Sequence, residues 1–327
     1  RCATGENPDK FKYYYIKEER KSSWISPNFD FTKRLTSVLP VQLLKTFEID
    51  LQIMRLFAQA NAVAEGSFDS LMVPFRCVVS DIDSSRAVSL SKGDLASSIR
   101  GSMSIPLIFN PLDLDQKLVF DGGIYNNFPA DVALKAFKPD VIIGSRVAQR
   151  YRTPDRDDIV SQLLTMLMER QADSILYPNS VMITPVTQVD GPLDFSRVKI
   201  LADSGYASTM AKMADIRALV SRRVSPVEME SRRNSFRSRQ PSIQFDSVVV
   251  KGVTKSQAGY IGKTIMQGNQ VVSFEVMCKG YFRLIEGGFI RLVYPKAMYN
   301  EKTGYFTLML DITPNNNFGV QFGGNFS

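Results

Sequence analysis

Between residues 72 and 222 short apolar runs alternate with longer stretches of helical periodicity, and this alternation restricts the fold more than any other feature of the chain. Residues 72–80 are nearly continuously apolar, as expected of a strand covered on both faces. Asp94 is placed to cap a helix reaching residue 103. Residues 117–120 read as a second strand, and Pro129 opens a helix that ends near residue 137. Residues 141–144 and 181–183 supply two further strands. The stretch 157–177 reads as an amphipathic helix, with Ile159, Leu163, Met166, Leu167 and Ile175 as expected core positions, and residues 207–222 as another helix. Strands alternating with helices predict an α/β fold of three layers, α/β/α, around a mainly parallel sheet.

The flanks read differently. Upstream, Tyr13, Tyr14 and Tyr15 suggest a short strand. Residues 41–63 have helical spacing, with Leu44, Phe47, Leu51, Met54 and Ala58 on one face. Downstream, residues 245–250 form a strand, 256–267 a helix, and 289–294 with 305–312 a hairpin. Phe306, Leu308, Leu310 and Ile312 alternate with Thr307 and Asp311, the pattern of a half-buried antiparallel strand, so a small α+β domain begins near residue 242. At the end, Phe318, Val320, Phe322 and Phe326 share one face with Gly324. An amphipathic edge strand and a lipid-facing barrel strand both fit that pattern.

Composition narrows the chemistry. The 327 residues are 44% hydrophobic, enough for about two domains. No run approaches the roughly 18 apolar residues of a membrane helix. The sequence opens at Arg1 without an apolar leader and reads as a mature product or an excised piece. Cys2, Cys77 and Cys278 are too far apart for a disulfide framework or a thiol metal cluster, and Cys77 reads as a small buried hydrophobe. There is no histidine, which excludes a Ser-His-Asp triad within the chain and removes the usual nitrogen ligand of zinc. No metal and no cofactor is expected. The net charge of +7 gathers around Arg217, Arg222, Arg223, Arg232, Arg233, Arg237 and Arg239. This stretch has serines and prolines but no interleaved aromatics. It reads as a solvated linker over 217–241 or as a contact for lipid headgroups, and no nucleic-acid partner is expected.

The segment 118–129 carries the chemistry: Leu118, Val119, Phe120, Asp121, Gly122, Gly123, Ile124, Tyr125, Asn126, Asn127, Phe128, Pro129. A strand delivers the Asp121 carboxylate to its C-terminal end, where open α/β sheets place their ligands. Gly122 and Gly123 let the backbone turn beside it. Asn126 and Asn127 are placed to cap the helix after Pro129. A plain strand-to-helix turn, with an aspartate that only satisfies backbone N–H groups, has the same composition.

Just upstream comes a helix of small residues through Ser97, Ser98, Gly101 and Ser102, then Ser104-Ile105-Pro106 and Phe109-Asn110-Pro111. These blocks, followed by Asp121-Gly122-Gly123 and Asn126-Asn127-Phe128-Pro129, resemble the C-terminal half of the patatin-like phospholipase catalytic domain, closely over 70–150 and more loosely to 210. The resemblance implies a Ser-Asp dyad with Asp121 as its carboxylate, Gly122 and Gly123 completing the motif, and phospholipid or another lipid ester as substrate. Such a dyad works without imidazole.

The Gly-x-Ser-x-Gly nucleophile motif and a glycine-rich oxyanion turn do not occur. Ser67 lacks the second glycine, and Ser102 lies in a helix. Either the chain begins downstream of its serine and is inactive alone, or it is a diverged, inactive module of assembly, secretion or binding.

The order of elements after residue 242 resembles a POTRA domain, the kind that precedes Omp85-type outer-membrane barrels. The expected organisation is a hydrolase domain over 1–216, a basic linker over 217–241, a POTRA-like domain over 242–314 and a first barrel strand over 315–327. This implies a bacterial cell-envelope protein, facing the periplasm, associated with the outer membrane or exposed at the cell surface.

Overall fold

The computed structural model describes residues 46–147, 159–167, 175–186 and 197–315. The readings of Tyr13–Tyr15, Leu44, Cys2 and the terminal strand lie outside the described residues. The chain divides into two compact units. One takes in Ala64–Pro106 and Pro111–Arg239. The other takes in Leu107–Asn110, the chain from Gln240 onward and the segment that ends at Val63.

The first unit holds β1 (Cys77–Asp81), β2 (Arg86–Leu90), β3 (Leu112–Leu114) and β4 (Lys117–Asp121) in one sheet of order β2-β1-β4-β3. Every pairing in it is antiparallel, which corrects the expected parallel sheet for this part of the chain. For the hairpins β1–β2 and β3–β4 the cause is the shortness of the connections. Asp115 and Gln116, at φ 52° and 65°, form the two-residue turn between β3 and β4. Such a turn permits only an antiparallel return. Parallel pairing is found between β5 (Ile142–Ser145) and β6 (Ser180–Ile183), with Ile143 opposite Val181. The unit is thus mixed α/β.

Helix α2 (Leu95–Ser102) lies against the first sheet. Asp94 caps it as expected, accepting the Ser97 amide at 2.8 Å. Gly101 brings it close: a Cβ there would sit 3.2 Å from Val119 and 3.4 Å from Val79. The remaining helices of the unit are α3 (Ala130–Phe137), α4 (Ile159–Leu167), α5 (Val198–Ala211), α6 (Met213–Leu219) and α7 (Pro226–Ser238). The helix expected over 157–177 is described only as α4, Ile175–Asn179 is not helical, and Leu163, Met166 and Leu167, expected in the core, are exposed. The one expected over 207–222 is instead α5 and α6, meeting at Lys212. The arginine-rich segment is exposed yet helical in α7. Ser225 accepts the Glu228 amide and Pro226 begins the first turn, and both favour a helix start. The exposed pairs Arg232–Glu228 and Arg233–Glu230 add at most about 1 kcal/mol each.

The second unit contains β7 (Gln244–Lys251), α8 (Lys255–Met266), β8 (Val272–Ser273), α9 (Phe274–Glu286), β9 (Ile290–Asn300) and β10 (Tyr305–Pro314). Their sheet has the order β8-β7-β10-β9, with β7 and β10 parallel. The predicted hairpin is β9–β10, and Phe306, Leu308, Leu310 and Ile312 are all buried on one face as the alternation requires. Thr254 and Gln257 form a capping box at the start of α8. Gly280 lets α9 approach α8, since a Cβ there would fall 2.7 Å from the Ile265 Cα.

Helix α1 (Phe47–Val63) belongs to this unit and packs along β9. Its Phe47, Leu51, Met54 and Ala58 join Phe245, Ile261, Met277, Phe306 and Leu308 in one core cluster. The spacing that predicts the helix also predicts this buried face.

Candidate active site

β4 ends at Asp121, which pairs with Val79 of β1. Two main-chain features fix its place. The Asp121 amide donates to the Ser104 carbonyl at 2.9 Å, just beyond the end of α2. The chain then enters a single 3₁₀ turn, Gly122–Ile124, in which the Gly123 amide donates to Asp121 Oδ1 at 2.7 Å. The amides of Tyr125 and Asn126 both close back on the Gly122 carbonyl.

The two glycines act differently from the expectation. Neither has positive φ, so the turn does not need their left-handed freedom. Gly122 is required by closeness: a Cβ there would lie 2.4 Å from the Val78 carbonyl oxygen. The Ser102 hydroxyl donates to that same oxygen at 2.6 Å. Strand β1, the end of α2 and the turn after β4 therefore meet at one backbone carbonyl.

The expected asparagine cap is absent. Helix α3 begins at Ala130 with Pro129 at its cap position and no side-chain cap bond. Asn126 instead donates from Nδ2 to Asp131 Oδ1 at 2.9 Å, bracing the loop from outside the helix. Asn126 lies three residues before the cap position, and its amide side chain is taken by a carboxylate.

Two aspartates on neighbouring strands show how environment divides a common residue type. Asp81, ending β1, takes hydrogen bonds from Ser84 and lies 3.2 Å from Lys117 Nζ, and its carboxyl is pulled down to about 2. Asp121 is pushed the other way. Burial raises its pKa, opposed in part by the Gly123 N–H. A half-buried carboxylate with a raised pKa is a better proton acceptor near neutral pH than an ordinary aspartate. The geometry can therefore serve general-base chemistry at Asp121, whereas Asp81 is committed to its own turn.

The thiols carry no such signal. Burial pushes Cys77 and Cys278 each up to about 12, which leaves them protonated and unreactive. Among the described residues no cluster of three or more Cys, Asp or Glu is placed to hold a metal ion. No helix among them is long and apolar enough to cross a membrane.

The roles of the Val78 and Ser104 carbonyls lay beyond sequence reasoning, because backbone acceptors leave no residue signature. The Ser104-Ile105-Pro106 stop was the available hint.

Known proteins match parts of the chain. An uncharacterized NTE family protein of Mycobacterium bovis is 31% identical over 74 residues, covering 23% of this chain and 21% of the relative. A counterpart from Mycobacterium tuberculosis matches to the same extent. A probable lipid hydrolase of Invertebrate iridescent virus 6 is 40% identical over 42 residues, 13% of this chain and 14% of the relative. The matched stretches thus span about a fifth or less of the curated relatives' length. The family of patatin-like phospholipases matches residues 5–134, starting earlier than the motif blocks and stopping within α3. The Asp121 turn lies inside this matched stretch, which is similar to the patatin-like phospholipase domain.

Proposed function

We propose that the protein is a serine-dependent lipid acyl hydrolase of phospholipase type, working through a Ser-Asp dyad whose carboxylate is Asp121. The observation that carries the reading is the environment of Asp121: a strand-end carboxylate, raised in pKa by burial, with Oδ1 held by the Gly123 N–H. In the proposed reaction a serine hydroxyl attacks the ester carbonyl of the lipid, and its proton passes to Asp121 Oδ2. The tetrahedral intermediate then collapses, the leaving alkoxide takes that proton, and an acyl-serine remains for water to cleave. The serine is assigned to no residue of this chain. Ser102 is a poor choice because its hydroxyl is given to the Val78 carbonyl.

Asp121→Asn is the direct test, made in the full-length gene product. The amide keeps an oxygen for the Gly123 N–H, so the turn is retained while proton acceptance is lost. Ester hydrolysis should fall at least a hundred-fold with the melting temperature maintained, and undiminished activity would sink the assignment.

We further propose that residues 242–314 are a POTRA-like domain and that the protein works in the bacterial cell envelope, with an outer-membrane barrel following. The support is the order of β7, α8, α9 and the β9–β10 hairpin, with β7 parallel to β10 inside the sheet. A second reading, an inactive assembly or secretion module, is favoured by the lack of Gly-x-Ser-x-Gly in the sequence. A fluorophosphonate probe separates the two. Labelling of a serine in the full-length gene product supports the hydrolase, and failure to label supports the module.

A further inference from the structure

Arg100 is the largest fully buried side chain described, 2% exposed within α2. Packing alone does not call for a guanidinium there, since a neutral residue of similar length fills the same space without desolvating a charge. Its contacts point to another use. Arg100 donates from an η nitrogen to Ser104 Oγ at 2.7 Å, and Ser104 Oγ donates to the Arg100 carbonyl at 2.8 Å. A hydroxyl has one proton to give. With that proton committed to the carbonyl, the guanidinium N–H is received on a lone pair and the Ser104 side chain is held from both sides. Ser104 is itself fully buried, and it lies past Ser102, where α2 has ended. It is also the residue whose carbonyl receives the Asp121 amide.

We propose that Arg100 is a positioning residue for Asp121: its buried guanidinium, through Ser104, fixes the carbonyl that seats the Asp121 amide and so sets where the carboxylate leaves β4. The proposal rests on the reading of Asp121 as the reacting carboxylate. Arg100 acts through the main chain, while burial and the Gly123 N–H account for the carboxyl's own shift.

The experiment is backbone amide exchange and carboxyl titration by NMR on this chain, comparing Arg100→Met, Arg100→Lys and Ser104→Ala. Arg100→Met and Ser104→Ala should speed exchange of the Asp121 and Gly123 amides ten-fold or more over any change in the β1–β2 ladder. The Asp121 carboxyl should then titrate lower, toward an ordinary aspartate, as it gains water. Arg100→Lys should restore part of both effects. If Arg100→Met unfolds the unit, Ser104→Ala still decides the matter, because it removes only the hydroxyl. Equal acceleration of all amides, or an unmoved Asp121 titration, overturns the proposal. These readouts need no turnover, so an active Asp121→Asn enzyme defeats the functional reading without changing their result.

Discussion

Leu51→Ala tests whether α1 is integral to the second unit. Leu51 is 1% exposed and shares a core cluster with residues of α8, α9, β9 and β10. Truncating a buried leucine to alanine costs about 2–5 kcal/mol, from lost transfer energy plus the cavity left behind. Taking about 3 kcal/mol, protection of the slowest β10 amides should drop a little over a hundred-fold. For a unit of this size the melting transition should fall by roughly 12–24 °C. Amide exchange followed by mass spectrometry reads the loss at Phe306, Leu308 and Leu310, with β1 and β4 peptides as internal reference. Leu56→Ala on the same helix is the control, since Leu56 is 54% exposed and its loss should cost under about 0.5 kcal/mol. Equal effects of the two substitutions would refute the reasoning. So would full β10 protection in a fragment of residues 240–315 made without α1.

Three further outcomes follow from the geometry. Gly122→Ala should destabilise the first unit by about 1–3 kcal/mol in thermal unfolding, because its Cβ meets the Val78 carbonyl and not a flexible side chain. Gly280→Ala should cost a similar ~1–3 kcal/mol in the second unit, forcing α9 off the α8 backbone, and exchange at Ile261 and Ile265 should report it. Asp81 has a folded pKa below its ordinary 3.8, so its stabilising effect is fully present above that value and is lost as pH falls through about 2. Acid titration of unfolding should therefore show a steeper loss in wild type than in Asp81→Asn over that window.

Much of this arrangement is legible in the sequence where one residue type answers a local need. Asp94 reads as a cap and is one, and the alternation from Phe306 to Ile312 gives the buried face of β10. The Asp121 turn stands out because an apolar strand runs into Asp-Gly-Gly. What makes Gly122 obligatory is a carbonyl 44 positions earlier, and spacing does not encode that. β2 escapes notice because Arg86–Leu90 is short and half polar, and β3 has only three residues. α7 was hidden by its arginines, although Ser225, Pro226 and Glu228 spell a helix start. For α1, periodicity reveals that one face must be covered but does not name the elements that cover it.

That membership has a consequence for how the protein is made. α1 leaves the ribosome about 180 residues before β7, its earliest partner strand in the core. At about 5–20 residues per second, its apolar stripe waits roughly 10–40 s for the sheet that buries it. During that interval Phe47, Leu51 and Met54 are an open invitation to chaperones, or to the same helix on a neighbouring nascent chain. Slow translation through residues 64–243 should therefore raise aggregation, while synthesis of the two parts in the reverse order should relieve it.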